Sequence, residues 1–258
     1  MLSLAQIQQF YPPNLHAFGS FLLREYLQYK ILALLFRSDF ATKFAFLGGT
    51  CLRIVHQSNR FSEDLDFDHF DLSQSEFEQV AQIIQRGLER EGFQIQMENV
   101  FRGAYHCYIK FPFLLHQTGL SGHRETKILI QLDTELQQFD FQPENFLLNK
   151  FDVFANIRTT PVDLLLAHKI AAFCQRKQPK GRDLYDITFL CAKTRPNYAY
   201  LEKELAVKNA DDLKSALRQR FEKIDLPQLA KDVSPFLFYS EDVQRILLFP
   251  QFVEQTAF

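Results

Sequence analysis

The sequence predicts an α/β (α+β) protein. A mixed sheet with flanking helices occupies residues 1–158, and a helical region follows over 159–258. Two observations carry this reading. Runs with period-two alternation recur between residues 44 and 157, as strands require, with amphipathic helical stretches among them. Beyond Pro161 the apolar spacing turns helical and stays so, punctuated by Pro179, Pro196, Pro227, Pro235 and Pro250. No internal repeat or low-complexity linker interrupts the chain.

In chain order, residues 15–37 read as an amphipathic helix, with Leu15, Phe18, Leu22, Tyr26 and Tyr29 at helical spacing. A short strand, Phe44 to Leu47, runs into Gly48-Gly49-Thr50 and a helix over about 50–57. Asp64-Leu65-Asp66-Phe67-Asp68 alternates like a strand. Ser73 with Glu76 makes a capping-box pattern that opens a helix with Phe77, Val80, Ala81, Ile84 and Leu88 on one face. Gly92 ends it. Strands are predicted over about 93–100, 104–112, 124–133 and 151–157. Pro161 suits the first turn of a helix over about 161–176, and another runs from Gly181 to about 193.

Composition narrows the function classes. With 47% hydrophobic and 23% charged residues the chain is an ordinary globular protein. Its 28 Phe and absence of Trp point to rings that fill cores rather than stack on bases. A net charge of −2 gives no global basic excess for nucleic acid, though a local patch remains open. Cys51, Cys107, Cys174 and Cys191 form no CxxC pair, so neither a zinc ribbon nor a disulfide framework is expected. The N-terminus lacks a signal-peptide pattern and no apolar run suits a membrane span, which predicts a cytoplasmic protein with no membrane partner.

The stretch FLGGTCLRIVHQSNRFSEDLDFD, residues 46–68, carries the chemistry. Strand alternation places Asp64, Asp66 and Asp68 on one face. Clustered carboxylates repel unless a cation joins them. Hard cations with oxygen ligands can hold an attacking oxygen and a leaving phosphate in line while offsetting the growing charge. A D-x-D strand alone equally fits an acidic solvent-facing edge. The preceding Gly48-Gly49-Thr50 turn, between strand and helix, adds backbone N–H groups and a hydroxyl suited to phosphate. Asp133, at the end of the strand Lys127 to Asp133, offers a third carboxylate.

These residues resemble a known family. The GGT turn, Leu52, Arg53 and then Arg60-x-Ser62-Glu63-Asp64-Leu65-Asp66-Phe67 are similar to the first signature of the AbiEii-type nucleotidyltransferases, toxins of abortive-infection toxin–antitoxin systems. Lys169, followed by Lys180-Gly181-Arg182-Asp183-Leu184-Tyr185-Asp186-Ile187, is similar to the downstream signature, and the likeness spans about residues 30–195. The resemblance implies a nucleotidyltransferase-type fold, polymerase-beta-like, with Mg2+ or Mn2+ as cofactor and an NTP as substrate. It implies an RNA acceptor, tRNA in some relatives, and a cognate antitoxin as partner. By position, Asp64, Asp66 and Asp133 would be the metal carboxylates, and Gly48, Gly49 and Thr50 the phosphate turn. Lys169 would contact nucleotide phosphate and, with Asp183 or Asp186, belong to the catalytic centre. Beside the resemblance, the stretch from His168 to Arg182 holds Lys169, Arg176, Lys177, Lys180 and Arg182 with no acidic residue, a local positive patch that makes Lys180 and Arg182 candidate nucleotide-binding residues. Gly-Thr replaces the Gly-Ser of many relatives, and the third carboxylate is loosely placed in the family. The alternatives are a nucleotidyltransferase that modifies a protein, and an inactive nucleotide- or RNA-binding protein of the same fold.

Other residues keep two readings. Arg53 and Arg60 could bind phosphate or pair with Glu63 or Asp68. Asp186 could pair with Arg182 at i, i+4, and Asp183 could simply favour a helix start. Arg176 and Lys177 fit a solvated helix end.

Overall fold

A computed structural model describes all 258 residues. The chain divides into two compact units, residues 1–56 with 61–159, and residues 57–60 with 160–258.

The first unit contains α1 (Leu4–Gln8), α2 (Gly19–Phe36), β1 (Phe44–Leu47), α3 (Gly48–Ile54), β2 (Leu65–His69), α4 (Gln74–Arg90), β3 (Gln96–Arg102), β4 (Ala104–Phe111), α5 (Leu114–Gln117), β5 (Ile128–Leu136), β6 (Glu144–Lys150) and β7 (Val153–Thr159). The strands form one sheet in the order β3-β4-β5-β2-β1-β7-β6. It is mixed: β2 runs parallel to β5 and β1 parallel to β7, while the remaining neighbours are antiparallel.

Alternation decides which way the central strands face. In β2, Leu65, Phe67 and His69 are buried while Asp66 and Asp68 are half-buried on the opposite face. In β5, Ile128, Ile130, Leu132 and Thr134 are buried, and Gln131 and Asp133 are half-buried on the other side. Phe67 packs among Phe36, Phe44 and Phe46, so the phenylalanine excess fills core as expected. α2 is buried almost all round and α4 lays Phe77, Val80, Ala81, Ile84 and Leu88 inward. The two helices meet closely where Gly87 of α4 receives the Leu34 side chain. The Ser73–Glu76 capping box is present in full, and Gly92 follows the helix end with φ +89.

The boundaries differ from the sequence reading in identifiable ways. The first long helix starts as a 3-10 turn over Pro13–Phe18 before α2. The strands predicted over 93–100, 124–133 and 151–157 lie two to four residues later. β6 was not expected. It is an edge strand whose burial alternates, with Leu148 buried and Leu147 exposed, but the unbroken apolar run Phe146-Leu147-Leu148 hides that alternation in the sequence.

The second unit is helical: α6 (Val162–Gln175), α7 (Gly181–Cys191), α8 (Tyr198–Leu205), α9 (Ala210–Phe221), α10 (Leu226–Val233), α11 (Gln244–Leu247) and α12 (Phe249–Gln255). Pro161 caps α6 from outside instead of occupying its first turn. Pro227 and Pro250 sit within the first turns of α10 and α12, where their missing N–H costs nothing. Asn197, Asn209 and Asp225 cap α8, α9 and α10 through their side-chain oxygens. The four residues 57–60 belong to this unit: Arg60 bridges to Leu237, and the Phe238 N–H donates to the Asn59 carbonyl at 3.0 Å.

Candidate active site

The first unit gathers a carboxylate cleft on the polar face of β2 and β5. The parallel register sets Asp66 directly beside Asp133 and Asp68 beside Glu135. A cleft of about 250 Å³ is lined by these four carboxylates with Leu47, Phe67, His106 and Thr134. Burial, followed by the charge of Glu135, pushes the Asp68 carboxyl up to about 7, although Gln137 Nε2 donates to it at 2.6 Å. Asp133 accepts from His106 Nδ1 at 2.6 Å and from Gln131 Nε2 at 2.8 and 2.9 Å.

The glycine turn is built around Asp66. Gly48 opens α3 with φ +78, in the left-handed region open to glycine, and a Cβ there would lie 1.9 Å from Asp66 Oδ2. Only a residue without a side chain lets this carboxylate sit against the turn. Thr50 is fully buried and its hydroxyl donates to the Asp64 carbonyl. The group latches the turn to the residue preceding β2. Asp64 itself lies one position before the strand.

No set of three or more His, Cys, Asp or Glu side chains is gathered so as to hold an ion alone. Mg2+ does not need one, since it commonly takes one or two carboxylates and fills its octahedron with phosphate oxygens and water. Asp66 and Asp133 are in register on neighbouring strands, which lie ~4.8 Å apart in any sheet. With the space that Gly48 leaves beside Asp66, this donor set fits a hard divalent cation shared with a triphosphate.

A different charged cluster fills the interior of the second unit. Asp183 and Asp186 of α7 are fully buried. Asp186 receives Arg60 through Nε at 2.7 Å and Nη2 at 2.6 Å, and Lys169 Nζ lies 2.8 Å from its Oδ2. Burial alone would raise the Asp186 carboxyl; Arg60 and then Lys169 hold it below the usual carboxylate range. Asp183 pairs with Arg176, and its Oδ1 lies 3.8 Å from Lys169 Nζ. Asp186 therefore does not use Arg182, which is half-buried and lines another cavity. That cavity, of about 350 Å³, is walled by Gln178, Pro179, Lys180, Gly181, Arg182, Asp232, Val233 and Phe236.

Residues 30–248 match the family model described as nucleotidyl transferase AbiEii toxin, type IV toxin–antitoxin system. The chain belongs to this AbiEii family. The family implies an antitoxin counterpart. Among solved structures, JHP933 from Helicobacter pylori is 18% identical with a TM-score of 0.55, and 92% of each chain is covered. A second H. pylori protein, described as a candidate nucleotidyltransferase, is 17% identical with a TM-score of 0.56, covering 92% of this chain and 95% of that one. Both share the fold. No curated protein matches the sequence.

Residues of the AbiEii signatures meet within each unit. Asp66 and Asp133 meet within the first unit, with Asp64 at the start of β2, while Lys169, Asp183 and Asp186 meet within the second. Arg53 of the first signature pairs with the buried Glu25 rather than with Glu63 or Asp68, and Lys150 completes that cluster. Sequence reasoning missed Arg60 as the partner of Asp186, and it missed His106 and Gln131. The alternation of β5 puts Gln131 on the face of Asp133 and was readable. The His106 contact depends on the β4–β5 register, which no local pattern encodes.

Proposed function

We propose that this AbiEii protein transfers a nucleotidyl group from an NTP to an acceptor hydroxyl on RNA, with tRNA as the expected acceptor. The observation that carries the reading is the in-register Asp66–Asp133 pair with Gly48 beneath Asp66. Mg2+, or Mn2+, held by these carboxylates with Asp64 as a further candidate ligand would supply charge to offset that of the phosphate oxygens. Gly48 leaves room for Asp66, and the backbone N–H groups of the Gly48–Thr50 turn would meet phosphate oxygens. The acceptor oxygen bonds to the α-phosphorus, the bond to pyrophosphate breaks with its electron pair leaving on pyrophosphate, and the hydroxyl proton passes to a carboxylate of the cleft. In the second unit, Lys180 and Arg182 carry the positive charge that a phosphate-bearing ligand prefers. Lys169 is held against Asp186, so its proposed phosphate role is tested by Lys169→Met, which removes the charge and keeps the length.

The proposed setting is the cytoplasm, where NTPs and tRNA are found; no helix is long and apolar enough to cross a membrane, and all four cysteines are free thiols. The test incubates the purified protein with each labelled NTP, Mg2+ and total cellular RNA. Label in an RNA band supports the reading and names both base and acceptor. Label on protein alone would replace the RNA acceptor with a protein one. No label on either would favour a binding protein of the same fold.

A further inference from the structure

We infer that His106 is a positioning residue for the cation site, holding Asp133 so that one oxygen alone is presented to the metal. The inference rests on the proposed role of Asp66 and Asp133 as cation ligands. An ionised carboxylate has about four lone-pair positions, two on each oxygen. In this structure Oδ1 of Asp133 takes two donors, His106 Nδ1 at 2.6 Å and Gln131 Nε2 at 2.8 Å. Oδ2 takes one, Gln131 Nε2 at 2.9 Å. The lone pair left uncommitted is therefore on Oδ2. A carboxylate clamped this way cannot swing to bind through both oxygens, which is the mode the larger Ca2+ exploits, and single-oxygen ligation suits the tighter Mg2+ octahedron.

The placement of His106 is built into the sheet. It lies on β4 directly opposite Asp133 in the antiparallel register, so its side chain emerges on the carboxylate face. Gln131 reaches the same carboxylate from two residues earlier on β5. His106 is three-quarters buried, with 25% of its side chain exposed, and it lines the cleft. Outer partners of this kind fix the orientation of metal-binding groups, and losing one typically weakens metal affinity 10- to 100-fold.

Four variants decide the matter, read by Mn2+ binding to the NTP-free protein through loss of the free-ion electron paramagnetic resonance signal. Asp66→Ala removes binding if the cation site is where the carboxylates are. His106→Ala weakens binding about tenfold or more. His106→Asn sets an amide nitrogen near the position of Nδ1 and restores most of the affinity. His106→Gln sets its amide nearer Nε2 and does not. Restoration by Gln rather than Asn would make the imidazole a direct ligand through Nε2 and overturn the inference. Affinity unchanged in His106→Ala, with Asp66→Ala still defective, would overturn it while leaving the cation site intact. Unchanged binding in Asp66→Ala would sink the site and the inference together. Thermal melts of all four separate loss of binding from loss of fold, and the paired Asn and Gln variants remain decisive if the Ala variant is unstable.

Discussion

Arg60 and Asp186, separated by 126 positions in sequence, form a two-pronged ion pair at 2.7 and 2.6 Å with both side chains buried. The pair joins one residue from each of the two distant signatures. Arg60 opens the stretch that leads to Asp64 and Asp66, while Asp186 closes the K-G-R-D-x-x-D element. The four residues 57–60 are fastened to the helical unit by this pair and by the backbone bonds to Leu237 and Phe238.

Arg60→Ala leaves Asp186 paired with Lys169 alone. Removing one partner of a buried pair typically costs 3–5 kcal/mol, and the remaining lysine should keep the loss near the lower figure, about 3 kcal/mol. Urea unfolding measures it. Arg60→Lys should recover little, because an ammonium cannot supply the fork. A loss under about 1 kcal/mol for Arg60→Ala would show that the pair does not hold this segment.

Gly48→Ala places a methyl 1.9 Å from Asp66 Oδ2, at a φ of +78 that alanine avoids. The backbone cost is about 1–2 kcal/mol, so the protein should still fold. Displacing the carboxylate by even an ångström should lower transfer roughly a hundredfold. Steady-state rates together with a melting curve check this; a fully active Gly48→Ala would remove the glycine from the account.

His168 lies on α6 against the Tyr200 ring, with centroids 4.6 Å apart, and burial with the neighbouring Lys169 charge lowers its pKa to about 4. The folded state therefore refuses a proton that the unfolded chain accepts below about 6.5. The stabilising contribution is complete above pH 6.5 and is lost as pH falls from there to about 4, by up to about 3 kcal/mol. Unfolding free energies at pH 7 and pH 4.5 should show a steeper fall for the parent than for His168→Gln. Equal slopes would mean that His168 is protonated as easily folded as unfolded.

Local patterns made much of this architecture readable. The Ser73–Glu76 box, the single apolar face of α4 and the alternation of β2 are short-range signals, and each appears as the spacing predicts. Alternation also turns Asp66 and Asp133 each away from the apolar face of its own strand, while the β2–β5 register that sets them side by side is a long-range pairing. What stayed hidden depends on pairing at a distance. β6 is an edge strand with Leu147 turned outward, and its apolar run Phe146-Leu147-Leu148 hides the alternation. His106 meets Asp133 only through the β4–β5 register, and Arg60 meets Asp186 only once the chain has folded. The Thr50 hydroxyl is buried and bonded to the Asp64 carbonyl, a pairing no local pattern announces.

The measurement that tests the central claim most directly follows two labels through one reaction, comparing the parent protein with Asp66→Asn. The NTP carries its label on either the α- or the γ-phosphate. Nucleotidyl transfer at the Asp66–Asp133 cleft predicts that α-label enters the acceptor, that γ-label leaves as pyrophosphate, and that Asp66→Asn does neither. Entry of γ-label into the acceptor, or full transfer by a folded Asp66→Asn, would contradict it.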